Sequence, residues 1–195
     1  MIKAQIIADS NSWLEKRLTT FILEYPRYLH AELLTHRVFS KNSASSRAIP
    51  IEKMMAMTQA NPVIPKWTLN QKGMQGEIVQ DLDVKNRATQ TWLTLNRNMI
   101  NGATELSKLG IHKQNVNRLL EPWQYIRIIL TGTEFDNWFA LRDHAAAHPE
   151  IQELAKKMKI AMDESLPIYL EPGEWHLPFG DRVNEDNLRD SYMNS

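Results

Sequence analysis

Cysteine is absent from the chain of 195 residues, which excludes a disulfide framework, a thiolate zinc or iron–sulfur site and a cysteine nucleophile, and leaves the redox compartment unread. Glycine is scarce, at seven residues, and none of them forms a dinucleotide-binding fingerprint or a P-loop. The G-x-S-x-G elbow and the H-E-x-x-H helix are missing as well. Excess charge of either sign is lacking too, because 23 Lys+Arg balance 23 Asp+Glu. Nothing therefore drives indiscriminate adhesion to nucleic-acid polymers or membrane surfaces, and any polyanion must be held locally. No apolar run approaches the ~20 residues of a transmembrane helix, and Met1-Ile2-Lys3 opens no signal-peptide pattern, so a cytoplasmic protein is expected. What is present is 43% hydrophobic residues, enough to bury a core in one domain.

Residues 3 to 25 read as β. Ala4 to Ala8 is an apolar run, and Phe21, Leu23 and Tyr25 alternate with Thr20, Ile22 and Glu24 at a period of two. Asp9 to Ser12 is expected as the turn between two strands. Pro26 suits a first helical turn, and the helix formers that follow predict a helix from Tyr28 to about Phe39. The hydroxyl-rich run Ser40 to Arg47 favours a loop, because such side chains bond their own backbone. A helix is expected over Ile51 to Gln59, an irregular connection over 61–76, and the longest helix over 77–109. In that last helix Trp92, Leu95, Met99, Ala103 and Leu106 recur at steps of three and four, and Gly110 stands at the C-cap. A short helix over Asn115 to Leu120 stops at Pro122, and Tyr125 to Leu130 reads as strand or helix. Thr131-Gly132-Thr133-Glu134 fits a capping box for a helix through Arg142. Pro149 opens a helix with Ile151, Leu154, Met158 and Met162 on one face. A single domain over 1–180 is expected, with 181–195 as a flexible tail.

Chemistry concentrates in a few places. Between Thr35 and Arg47, arginines, a histidine, four serines and an asparagine gather where helix gives way to loop. Guanidinium forks, hydroxyls and loop amides suit a phosphate or carboxylate; a solvated helix end explains the same residues equally well. Glu32 and His36 stand four apart on one helix face, as a hydrogen-bonded pair or as ligands. With His30 they make H-x-E-x3-H, which is no recognised metal spacing, so no metal is expected. Arg142 shares a helix face with Trp138 and Phe135, either to hold a planar base or to cover core aromatics with its stem. Arg118 is a phosphate ligand or a surface charge.

Thr35-His36-Arg37, seven residues, then Ser45-Ser46-Arg47 resembles the R-H-R-x7-S-x-R signature of flavin-dependent thymidylate synthases, the ThyX class, departing at the first arginine. Leu141-Arg142 followed by Ala147-His148-Pro149-Glu150-Ile151 is similar to that family's L-R-x4-A-Q-x-E-I segment, with His148 for glutamine. Asn117-Arg118-Leu119-Leu120-Glu121-Pro122 is similar to its arginine-bearing helix before a proline. The three blocks stand in the family's order over about residues 18 to 165. A phage-type branch, in which threonine is usual at Thr35, resembles the stretches Arg17 to Pro50 and Asn70 to Gln75 in particular.

The resemblance implies an α+β fold, a short antiparallel β-sheet packed with a bundle of long helices, assembled as a homotetramer in the cytoplasm, a host's if phage-encoded. It implies methylation of dUMP at C5 with methylenetetrahydrofolate as carbon source and FAD with NADPH as reductant. The partners would be a small nucleotide and a folate. Glu32, Ser43, Ala44, Ser45, Ser46, Arg47, Arg118 and Arg142 would hold dUMP, and Arg142 would be catalytic, favouring the N3-deprotonated uracil and so raising nucleophilicity at C5. Thr35, His36, Arg37, Thr131, Thr133 and Asn137 would face FAD, Thr131 and Thr133 replacing a family asparagine and arginine. The A-R-V-S-Y and H-x-S-P-F-E-H segments have no counterpart; in the phage-type branch they follow the W-H-L-P stretch, Trp175 to Pro178 here. A truncated or split form, or one that has lost part of its flavin site, is therefore expected. The second reading is a nucleotide-binding or assembly module with the same fold and no redox activity.

Overall fold

The alternation around Phe21 builds the central strand of a five-stranded sheet. The computed structural model describes residues 1–72 and 76–180; the expected tail over 181–195 and the residues Gly73 to Gln75 lie outside the described residues. Strand β1 (Lys3–Ser12) pairs antiparallel with β2 (Arg17–Pro26), from Lys3 opposite Glu24 to Asn11 opposite Arg17, with one irregularity between Ile6 and Ala8. The expected turn at Asp9 to Ser12 is therefore the end of β1. The ladder extends because Asp9 is bonded across it to Arg17 and Thr19, and the chain reverses at Trp13 to Lys16, where Glu15 takes a φ of 56°.

Beyond the first helices, Ser40–Ser43 forms the short edge strand β3 and Tyr125–Gly132 forms β4. Strand β4 lies antiparallel between β2 and β3, and β5 (Ile168–Leu170) closes the other edge parallel to β1, giving the order β3-β4-β2-β1-β5. The sheet is thus antiparallel except at β5. The serine run opens as strand because β4 offers it an unpaired edge, an opportunity that local propensity does not register.

One face of the sheet is apolar. Phe21, Leu23 and Tyr25 of β2 and Ile126, Ile128 and Leu130 of β4 are buried there. Three helices cover them: α1 (His30–Leu34), α5 (Asp136–Arg142) and α6 (Pro149–Glu164). Helix α6 starts with Pro149 in its first turn and His148 Nδ1 capping the Glu150 amide, and it buries Ile151, Leu154, Ala155 and Met158. The three larger side chains, Ile151, Leu154 and Met158, each contribute about 1.5–3 kcal/mol of transfer free energy.

A second, smaller core holds Met54, Ala103, Val116 and Leu120. It joins α2 (Ile51–Ala60), α3 (Leu82–Lys108), α4 (Lys113–Val116) and a 3-10 stretch, Asn117–Trp123. The long helix therefore packs on α2 and the 3-10 stretch. Its buried stripe carries Asn96, whose amide donates to the Thr58 carbonyl, while Leu95 is exposed. Steps of four and three from Trp92 to Asn96, Met99 and Ala103 keep that stripe straight, and Leu95 falls off it.

Four helix limits differ from expectation. The short helix expected over Asn115 to Leu120 is α4 followed by 3-10 turns that run through Pro122 to Trp123. Helix α1 is one and a half turns, preceded by a 3-10 turn at Arg27–Leu29, because Pro26 still belongs to β2 and the Thr35 hydroxyl bonds the Glu32 carbonyl at the helix end. Helix α3 begins at Leu82, where the Asp81 carboxylate accepts from the amides of Asp83 and Val84; Gly110 takes a φ of 75° past its end. The capping box does not form: Thr131 and Gly132 are paired in β4, and α5 starts at Asp136 without a side-chain cap. Among the described residues no helix is long and apolar enough to cross a membrane.

Candidate functional site

Arg142, the last residue of α5, crosses to the end of α1. Its Nε donates to His36 Nε2 at 3.0 Å, Nη1 reaches Glu32 Oε2 at 3.5 Å, and Nη2 reaches Thr35 Oγ1 at 3.4 Å. Four of the singled-out residues are therefore brought together: Glu32, Thr35, His36 and Arg142. The i, i+3, i+4 spacing of Glu32, Thr35 and His36 produces this, since it puts all three on one side of a single turn. The side chain of Arg142 keeps 21% of its surface exposed, so the guanidinium is anchored yet reachable.

His36 is the buried member. Its ring stands edge-on to Trp138, with centroids 4.8 Å apart, and nearly parallel to Phe39. The Lys41 ammonium donates to its carbonyl. Burial first, then the charges of Arg142 and Lys41, hold the His36 ring below the ordinary histidine pKa. The ring is therefore neutral near pH 7, with Nε2 as acceptor. His30 is spent elsewhere, on the Tyr25 hydroxyl at 2.8 Å. Among the described residues no three histidine, aspartate or glutamate side chains group as metal ligands.

The serine loop is a separate constellation. Past β3, Ser45 caps a 3-10 turn over Ser46–Ala48 by accepting from the Arg47 amide. Ser46 is buried and donates to Glu121 Oε1 at 2.9 Å, and that carboxylate also meets Arg27. Asn117 is wholly buried and its amide donates to the carbonyls of both Ser46 and Ile49, at 2.8 and 2.9 Å. The backbone of the loop is thus held from beneath by the 3-10 stretch. Ser43, Ala44, Ser45 and Arg47 are left exposed, and Arg118 is exposed on the residue next to the Asn117 anchor. A cavity of about 510 Å³ opens beside the loop, with Ala44, Arg27, Arg127, Met54, Trp123 and Tyr125 among its walls. The sequence carried no signal for that cavity, whose walls come from four separate segments.

The flavin-side positions are spread over two packed segments. Gly132 lies so close to Phe39 that a Cβ there would stand 2.7 Å from its ring, and Phe39 packs on Phe135 and Trp138. Arg37 on one segment and Thr133 and Asn137 on the other are exposed at this junction. Cation, hydroxyl and amide are donor types that suit a pyrophosphate-bearing group, while Glu134 and Asp136, exposed on the same segment as Thr133 and Asn137, are carboxylates that oppose one. Thr35 and His36 are engaged by Arg142. Thr131 lies on the sheet's other face, its hydroxyl 2.8 Å from that of Thr20, which is also 2.8 Å from His176 Nε2. His176 Nδ1 bonds Ser10 in turn, at 2.7 Å. His176 escaped the sequence reading because its partners lie more than 150 positions away.

The family described as thymidylate synthase complementing protein matches residues 1–168. No curated protein matches the chain. Among solved structures, the chain is similar to the UMP/dUMP methylase PolB from Streptomyces cacaoi. With 5-Br dUMP bound, that structure gives a TM-score of 0.63 at 15% identity over 84% of this chain and 91% of the other. With 5-Br UMP bound, the values are 0.64 and 16% over 84% and 89%.

Proposed function

Because the chain belongs to the thymidylate synthase complementing protein family, we propose that it transfers a one-carbon unit to C5 of a uracil nucleotide, dUMP in the first instance. The observation that carries this reading is the Arg142 guanidinium, tethered through Nε while its two Nη groups make contacts of 3.5 and 3.4 Å, long enough to yield to a ligand. Turned onto the uracil O4 and N3 edge, those donors favour the N3-deprotonated ring, whose added electron density makes C5 the better nucleophile. No enzyme nucleophile is required for that step. Exposed Ser43, Ala44, Ser45 and Arg47, with Arg118, hold the phosphate and sugar through hydroxyl, amide and guanidinium donors, Ser46 keeps the loop closed, and Glu32 stands beside the base. The similarity to a UMP/dUMP methylase fold supports the same class of substrate.

Methylenetetrahydrofolate supplies the carbon at the methylene level. Forming the C5–carbon bond releases the C5 proton, and reaching a methyl product with tetrahydrofolate as leaving group takes a hydride that originates on NADPH. FAD, when bound, would supply that hydride. Arg37, Thr133 and Asn137 would hold it; Thr35 and His36 stand with Arg142, and Thr131 is turned to the opposite face of the sheet. The chain acts as a homotetramer in this reading, and exposed Leu82, Val84 and Leu95 on α3 supply apolar surface for assembly.

The test is release of tritium from C5-labelled dUMP in the presence of methylenetetrahydrofolate, FAD and NADPH. Arg142→Ala should abolish release, and Arg47→Ala should raise the dUMP KM by about tenfold or more, the loss of one charge-assisted contact. Wild-type-like turnover in both variants would sink the assignment. Binding of dUMP by a protein that takes up no FAD would favour instead a nucleotide-binding module without redox activity.

A further inference from the structure

The contacts of Arg142 are unequal. The bond from Nε to His36 is short and the two from the Nη atoms are long. A guanidinium is planar, so fixing Nε–H against one acceptor fixes the direction in which both Nη groups point. The acceptor is itself held: Trp138 and Phe39 flank the His36 ring, and Lys41 bonds its carbonyl. We propose that His36 is a positioning residue for Arg142, its Nε2 lone pair setting the guanidinium plane so that the Nη edge meets the nucleotide base. This rests on the nucleotide reading above, and it gives His36 a role that needs no contact with flavin.

Only a neutral ring with its proton on Nδ1 can accept from Arg142. The charged groups that face His36 are Arg142 from α5 and Lys41 from β3, both cations; Glu32, on α1 just before it, is turned to Arg142. Burial and these cations lower the ring's pKa, which keeps the acceptor available at neutral pH. As pH falls through that lowered value the ring gains a proton, loses the lone pair and repels the guanidinium. Nucleotide affinity should therefore show an acid limb steeper than protonation of the dUMP phosphate alone gives, the excess belonging to His36.

The experiment measures dUMP binding from pH 5 to 8 by calorimetry, using wild type, His36→Gln and His36→Ala. Glutamine offers an amide oxygen as acceptor at every pH. His36→Gln should bind within about threefold of wild type at pH 7.5 and show a shallower acid limb, keeping only the part due to protonation of the dUMP phosphate, whose second pKa is about 6, whereas His36→Ala should bind about tenfold more weakly or worse. Equal losses in both variants, or an acid limb in His36→Gln as steep as that of wild type, overturn the proposal. A second readout needs no nucleotide. In nitrogen-15 spectra the His36 ring should carry its proton on Nδ1, and Arg142→Met should move its titration midpoint up toward that of a free histidine. An unmoved midpoint overturns the pairing, while a moved midpoint with no dUMP binding by wild type overturns the nucleotide reading and keeps the pairing.

Discussion

Replacing Asp9 with alanine removes the node that ties the first two strands to the end of α6. The carboxylate accepts from Arg17 Nε at 3.0 Å and Nη2 at 2.7 Å, from the Thr19 hydroxyl at 3.0 Å, and from the Ser165 hydroxyl at 2.6 Å. Breaking a fully buried pair costs about 3–5 kcal/mol. Two features lower that figure here: the Arg17 side chain is 31% exposed, so water partly recovers its charge, and its Nη2 keeps the carbonyls of Met162 and Ser165 as acceptors. We expect Asp9→Ala to cost about 2–3 kcal/mol, which for a chain of this length lowers Tm by roughly 5–10 °C. Urea and thermal unfolding followed by circular dichroism measure it. The pH dependence has a defined sign. Burial alone would raise the Asp9 carboxyl, but hydrogen bonds from Arg17, Ser165 and Thr19 and the Arg17 charge outweigh it and hold the group below its ordinary 3.8. Its contribution is thus complete above pH 3.8 and fades as pH falls through the lower native value, so the gap between wild type and variant should close in strong acid. A loss under about 0.5 kcal/mol at pH 7, or a gap that widens in acid, would refute the reasoning.

Two further substitutions probe the supports of the site. Gly132→Ala places a Cβ 2.7 Å from the Phe39 ring and 3.4 Å from that of Phe135; overpacking of this kind costs about 1–3 kcal/mol, and an unchanged Tm would mean that Phe39 moves aside freely. Asn117→Ala strips the carbonyls of Ser46 and Ile49 of their buried donor, so stability should fall by about 1–3 kcal/mol and the loop at Ser45 should become more sensitive to protease. Unaltered cleavage kinetics would count against Asn117 as the anchor of that loop.

The readable parts of the fold were those governed by local periodicity. Phe21, Leu23 and Tyr25 declared a strand, Ile151, Leu154 and Met158 declared the buried side of α6, and Pro149 marked its start. Elements created by partners at long range were hidden. Ser40–Ser43 becomes strand only against β4, and Thr131 and Glu134 match a capping motif that the pairing of β4 pre-empts. The same division holds in the site. Glu32, Thr35 and His36 could be grouped from helical spacing, and Arg142 singled out beside Trp138, but their meeting depends on how α5 crosses α1. Family resemblance named the serine loop; what secures it, Asn117 beneath Ser46 and Glu121 beside it, appears only once the 3-10 stretch is in place.

The strand order has a consequence for how a nascent chain reaches this state. β1 and β2 join across a short turn and can zip early, but Thr20 waits for Thr131, 111 positions on, and Ser10 waits for His176, 166 positions on. Until α5 and α6 leave the ribosome, the hairpin presents Phe21, Leu23 and Tyr25 with only the short α1 at hand to cover them, and contacts of such sequence separation form slowly. A chaperone holding that hairpin during synthesis would be shielding the surface on which α6 later docks.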